Sequence, residues 1–116
     1  MNINPEKNEK VAIDISEWND AIKAYIKPLN GFERLELNDF FVTFYNKEND
    51  PEERFDAGFR AALLSLVDGD DRALLTESDR DAVRSGSFVP FLRLFNVVLS
   101  QYGDGSNNGV ETLKKS

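Results

Sequence analysis

The spacing of hydrophobic and polar positions changes along the chain, and these changes mark the predicted elements. Val11, Ile13 and Ile15 alternate with polar or small neighbours, which is the period of a half-buried strand. From residue 31 onward, apolar positions recur mainly at steps of three and four, as on one face of a helix. The pattern therefore predicts an α+β fold that is mostly helical, with an N-terminal β-hairpin packed on about four α-helices.

The stretch 18–29 fits two structures. Its apolar residues alternate from Ile22 to Ile26, which predicts a second strand paired with the first through a short turn. Other apolar residues in the same stretch lie at helical spacing, and Ser16 is placed to cap a helix. Pro28 would end either element at about the same position. The pattern alone leaves the hairpin and the helix open.

Four later segments carry helix signals. Their predicted starts are Asn30 with Glu33, Asp50 with Pro51, Thr76 with Asp79, and a first turn that contains Pro90. Their predicted apolar stripes are Leu37, Phe40, Phe41 and Phe44; Phe55, Phe59, Ala62, Leu63 and Leu66; and Phe88, Phe91, Leu92, Phe95, Val98, Leu99 and Tyr102. Phe91 and Phe95 lie at the centre of the last stripe, so both are predicted to be buried.

Composition changes along the chain in a way that predicts three parts. Residues 1–9 are polar and without a period, which indicates a flexible arm. Residues 10–103 are predicted to form a single globular domain, with Gly103 placed to end the last helix. Residues 104–116 begin with a linker composition, which predicts a mobile C-terminal tail.

The charge and the missing residue types exclude several kinds of chemistry. The 116 residues include 14 Lys and Arg against 21 Asp and Glu, a net charge of −7, and contain neither His nor Cys. Thiolate nucleophiles, imidazole bases and Cys- or His-based metal sites are therefore excluded. The acidic excess argues against nucleic acid and anionic membranes as partners. Without a signal-peptide profile or a long apolar run, the sequence predicts a cytoplasmic protein with no cofactor.

Acidic residues crowd the segment 68–81, so calcium is the one metal to consider. A helix-loop-helix calcium site needs oxygen ligands at positions 1, 3 and 5, Gly at position 6 and Glu at position 12. Counted from Asp68, positions 5, 6 and 12 are Arg72, Ala73 and Asp79. The segment is therefore predicted to be a turn followed by an acid-capped helix, with no specific calcium site.

Two passages of the sequence resemble one protein family. The first is Ile26-Lys27-Pro28-Leu29-Asn30-Gly31-Phe32-Glu33-Arg34, after two strands and a Trp-containing turn. The second runs from Phe59-Arg60 through Leu66-Val67-Asp68 to Asp79, and the chain closes with Glu111-Thr112-Leu113-Lys114-Lys115-Ser116. Over residues 10–116 the chain is similar to the tail assembly chaperones of long-tailed phages and prophages. It departs from their pattern at Asn30, Asp71 and Leu75, where Thr, Gly and Phe are more usual.

This resemblance implies a function and favours the hairpin over a helix at 21–27. Chaperones of this family are not enzymes; they bind the tape measure protein in the host cytoplasm, aid recruitment of the tail tube protein, and are absent from the finished virion. The resemblance is also compatible with a homo-oligomer and with a longer frameshifted product that starts near Lys114-Lys115. The predicted partner-binding residues are Val110, Leu113, Lys114 and Lys115. The main alternative is an unrelated acidic adaptor of a bacterial cell that binds other proteins.

Overall fold

A computed structural model describes residues 1–3 and 9–101, and the side chain of Gln101 is outside it. The described chain forms a small antiparallel sheet and four α-helices, so the predicted α+β, mostly helical class is confirmed. The elements are β1 (Val11–Ile13), β2 (Ala24–Ile26), α1 (Gly31–Tyr45), α2 (Pro51–Ser65), β3 (Leu66–Val67), a 3₁₀ turn (Glu77–Asp79), α3 (Arg80–Ser85) and α4 (Val89–Gln101).

The N-terminal segment is a hairpin, and the alternative of a helix over 18–29 is wrong. β1 and β2 are antiparallel, with Val11 opposite Ile26 and Ile13 opposite Ala24. The connection includes a tight turn in which the amides of Trp18 and its neighbour donate to the carbonyl oxygen of Ile15. The alternating period decided the structure here because it places Ala24 and Ile26 in the core.

β3 is an element that the sequence pattern does not predict. The pattern assigns Leu66 to the second helix stripe, but α2 ends at Ser65 and the chain continues directly into a strand paired with β2. Leu66 and Val67 are both buried. A short, fully buried run has no period of its own, so it cannot be distinguished from a helix end by pattern alone.

The predicted helix starts are confirmed. Asn30 accepts a hydrogen bond from the amide of Glu33, whose carboxylate accepts the Asn30 amide in return. The Asp50 carboxylate accepts the amide of Glu53, with Pro51 in the first turn. These contacts satisfy amides that have no partner within the helix.

The core is built from the sheet and the inner faces of the helices. Phe91 and Phe95 are 1% and 2% exposed, as predicted. Phe91 lies at the centre of an aromatic cluster, with ring centroids 5.5–6.0 Å from those of Trp18, Phe44 and Phe55. The indole nitrogen of Trp18 donates to the carbonyl oxygen of Ser87 at 2.7 Å, so the hairpin connection is tied to the start of α4.

Two predictions about α4 need correction. The sequence pattern places Phe88 on its core stripe, but α4 begins at Val89 and Phe88 is 59% exposed, because it precedes the helix and does not follow its inner face. Leu94 is absent from the predicted core and is fully buried. Tyr102, the helix stop at Gly103 and the tail 104–116 lie outside the described residues, as does most of the predicted arm.

Candidate binding surfaces

Helix α1 is apolar on two opposite faces. Leu37 and Phe44 point into the core, as the sequence pattern predicts. Phe32, Leu35 and Val42 are 70%, 67% and 50% exposed. The steps between them, three and seven residues, place them on one line along the helix. We call Phe32, Leu35 and Val42 the α1 stripe.

The α1 stripe has an acidic centre. Asp39 is exposed and lies four residues after Leu35 and three before Val42, so it occupies the same line. Two copies of the stripe packed against each other in antiparallel fashion would bring these carboxylates together near the middle, and like charges disfavour such a contact. A partner with a cation on its apolar face matches the stripe better.

A second apolar surface is an aromatic groove of about 350 Å³ where α1, α2 and the start of α4 meet. Its lining is Phe44, Tyr45, Pro51, Arg54, Phe55, Phe88, Phe91 and Leu92. The rings of Phe44 and Phe91 are buried at its base, while Tyr45 and Phe88 are exposed. Tyr45 follows Val42 by three residues, so the groove begins where the α1 stripe ends.

Arg54 supplies the one cation among the lining residues of the groove. Its Nε donates to the carbonyl oxygen of Phe44 at 2.8 Å, and its guanidinium lies 6.0 Å from the ring centroid of Phe44. α1 has no basic residue in its own last turn, so Arg54 from α2 places positive charge beside the negative end of α1. Among the described residues, its terminal nitrogens have no hydrogen-bond partner.

Tyr45 is the titratable group of the groove with a shifted pKa. Burial of part of its ring raises the pKa of the phenol above its ordinary value, because the charged phenolate would lose hydration there. Tyr45 is therefore a neutral phenol at physiological pH. The groove offers apolar and aromatic surface with a single positive charge.

The acidic segment forms local structure. The carboxylate of Asp68 accepts the amides of Asp70 and Arg72, and the bond from Arg72 is the main cause of a lowered pKa for Asp68. Asp71 has a left-handed backbone, with φ of 65°, and its carboxylate accepts a bond from Lys10 at 3.2 Å. Within residues 1–3 and 9–101, no group of three acidic side chains is arranged to hold a metal ion.

Ion pairs lower the pKa of two further carboxyl groups, those of Asp56 and Glu17. Burial raises the pKa of Asp56, but hydrogen bonds from Arg80 and Arg60 outweigh it and lower the pKa overall. A hydrogen bond from Arg93 lowers the pKa of Glu17. A general acid at neutral pH needs the opposite shift, so these groups serve to join elements of the fold.

The partner-binding residues predicted from the sequence, Val110, Leu113, Lys114 and Lys115, lie outside the described residues. The α1 stripe and the aromatic groove are not among the predicted sites. The steps of three and seven residues between Phe32, Leu35 and Val42, which match a helical period, were the available signal. The groove had no such signal, because it depends on how three helices pack.

No protein-family model matches the chain, and neither does any curated protein or solved structure. In the described part, no single helix is long and apolar enough to cross a membrane; the helices Glu77–Ser85 and Val89–Ser100 reach that length and composition only as a pair, bent by 111°.

Proposed function

We propose that this protein is a non-enzymatic assembly chaperone that shields an apolar helical segment of a partner, and that the partner is the tape measure protein of a phage or prophage tail. The observation that carries the proposal is the α1 stripe. Three large apolar side chains stand at 50–70% exposure on a helix whose other face is already packed. Several large exposed apolar side chains on one face of a helix are typical of a site for a protein partner.

The geometry of the stripe suits a helical partner. From Phe32 to Val42 the helix rises by about 15 Å at 1.5 Å per residue, which is nearly three turns. A partner helix with apolar residues at steps of three and four can lie along this line, as in other helix-recognition surfaces. The net charge of −7 keeps a protein with such a surface in solution.

The tape measure protein and the tail tube protein enter the proposal through the sequence resemblance. A chaperone for a long helical protein needs exposed apolar surface, high net charge and no catalytic group. The α1 stripe supplies the exposed apolar surface and the net charge of −7 supplies the charge. The proposed place of action is the host cytoplasm.

Co-expression tests the proposal with a matched pair of variants. Leu35→Asp places a charge within the α1 stripe, and Asn96→Asp places the same charge at an exposed position of α4, outside the stripe. The tape measure fragment encoded beside this gene should be soluble with the wild type and with Asn96→Asp, and insoluble with Leu35→Asp. Circular dichroism should show all three folded.

Two results would contradict the proposal. One is a gene without tail genes beside it, which would favour the acidic adaptor. The other is a fragment whose solubility is the same with and without this protein. Equal loss in Leu35→Asp and Asn96→Asp would show that the α1 stripe is not the binding surface.

A further inference from the structure

The aromatic groove is smaller than the surface that a long helix requires. Its volume of about 350 Å³ lies at the low end of the range for ligand pockets, about 300–1,000 Å³. The α1 stripe, in contrast, is a line on the outside of a helix. The groove therefore fits one or two side chains of a short segment.

We propose that the groove is occupied by the C-terminal segment of this same chain, through Val110 and Leu113. These two apolar residues are three positions apart and share one face if the segment forms a helical turn. They are the large apolar residues between Tyr102 and Ser116. The contact does not depend on the proposed chaperone function, because it is made within one molecule.

The connecting chain is long enough for this contact. Phe88 and Leu92 place the start of α4 at the groove, and the helix then runs to Gln101. The thirteen residues of α4 rise by about 20 Å, so the end of the helix lies about that far from its start at the groove. The eight residues 102–109 span up to about 26–29 Å when extended, which is enough to bring Val110 back. Their Gly, Ser and Asn content is typical of a linker.

The charges of the segment match those of the groove. Glu111 lies between the two apolar residues, and the terminal nitrogens of Arg54 have no hydrogen-bond partner among the described residues. The edge of the groove at Pro51 is next to the acidic residues Glu48, Asp50, Glu52 and Glu53. Lys114 and Lys115 follow Leu113 directly in the sequence, so the basic end of the segment is complementary to this acidic edge. The α1 stripe has no cation within it to receive Glu111.

An intramolecular segment has a large advantage over a separate partner. A short flexible connection gives the segment an effective concentration in the millimolar range, so a contact with a Kd below about a millimolar keeps the groove mostly occupied. A partner that uses Phe88 or Tyr45 must displace the segment first. The segment therefore competes with any partner that binds at this end of α1, and such a partner must bind more tightly to occupy the groove.

A spin label on the full chain tests the proposal directly. The chain has no Cys, so Ser116→Cys provides a single attachment point for a nitroxide. Paramagnetic broadening should concentrate on the amides of the groove, at Tyr45, Phe55, Phe88 and Leu92. Comparison with the reduced, diamagnetic label gives the loss of peak intensity at each amide.

Three further variants, each carrying the label, test the contact. Leu113→Asp should abolish the broadening at the groove, whereas Thr112→Asp adds the same charge at the adjacent position and should retain it. Phe88→Ala removes an exposed ring and should weaken the broadening without unfolding the chain. Broadening that is absent from the groove, that concentrates on the α1 stripe, or that survives Leu113→Asp would overturn the proposal.

Discussion

The packing of Gly58 in α2 against Phe91 in α4 predicts that adding a methyl group at Gly58 lowers stability. Gly58 is buried in the middle of α2, and a Cβ atom there would lie 2.6 Å from Cδ2 of Phe91 and 2.9 Å from Cε2. Both distances are too short for carbon atoms in contact. The Phe91 ring cannot move aside freely, because the rings of Trp18, Phe44 and Phe55 surround it.

Two opposing effects determine how much Gly58→Ala changes the free energy of unfolding. Alanine in a helix interior is favoured over glycine by about 1 kcal/mol, and overpacking of a core costs about 1–3 kcal/mol. The contact at 2.6 Å places this site at the upper end of that cost. We expect the free energy of unfolding to fall by about 1–2 kcal/mol, which lowers Tm by roughly 4–16 °C in a domain of this size.

Thermal unfolding followed by circular dichroism measures this effect, and Gly31→Ala is the matched control. Gly31 begins α1, and a Cβ atom added there would have no neighbouring atom within 4 Å, so alanine at this position should leave Tm unchanged or raise it slightly. Phe91→Leu combined with Gly58→Ala should cost less than the two single changes added together, because the smaller side chain relieves the contact. A Tm that rises in Gly58→Ala would refute the close packing of α2 on α4.

Three other predictions concern the core, the ion pairs and metal binding. Phe95→Ala should lower the free energy of unfolding by about 3–5 kcal/mol, and an unchanged Tm would contradict its burial at 2% exposure. The lowered pKa of Asp56 means that its stabilising effect is present above the ordinary aspartate pKa of about 3.9 and is lost as pH falls through the folded value. The stability difference between wild type and Asp56→Asn should therefore shrink in acid; a constant difference from neutral pH to about pH 2 would argue against the Asp56 ion pairs. Millimolar calcium should leave Tm nearly unchanged, and a saturable rise at micromolar calcium would reveal a site in the segment 68–81.

The features that sequence analysis predicts correctly are local ones. The capping residues Asn30 and Asp50 lie within three residues of the amides they bind, so their chemistry is visible in the sequence. The burial of Phe91 and Phe95 follows from a helix stripe with a clear period. The hairpin is harder to predict, because the residues of 18–29 fit both the period of a strand and the period of a helix. Only the pairing with β1 distinguishes the two.

The features that sequence analysis misses depend on tertiary structure. β3 exists because β2 offers a free edge to Leu66 and Val67, which no local pattern shows. α1 carries two apolar faces, and periodicity does not state which one meets the core. The predicted stripe consists of Leu37, Phe40, Phe41 and Phe44, so it does not include the exposed Phe32 and Leu35. The aromatic groove requires the relative positions of three helices.

The direct passage from α2 into β3 has a consequence for the order of folding. β2 and β3 are adjacent in the sheet but are separated in sequence by α1 and α2, so their pairing closes a loop of about forty residues and carries the entropy cost of a non-local contact. The helix pair contains the more local contacts, and once α2 has docked its last residue delivers Leu66 to the edge of β2. We expect pulse-labelling hydrogen exchange to show protection in α1 and α2 before the amides between β2 and β3 are protected. The helices would then act as the template on which the sheet is completed.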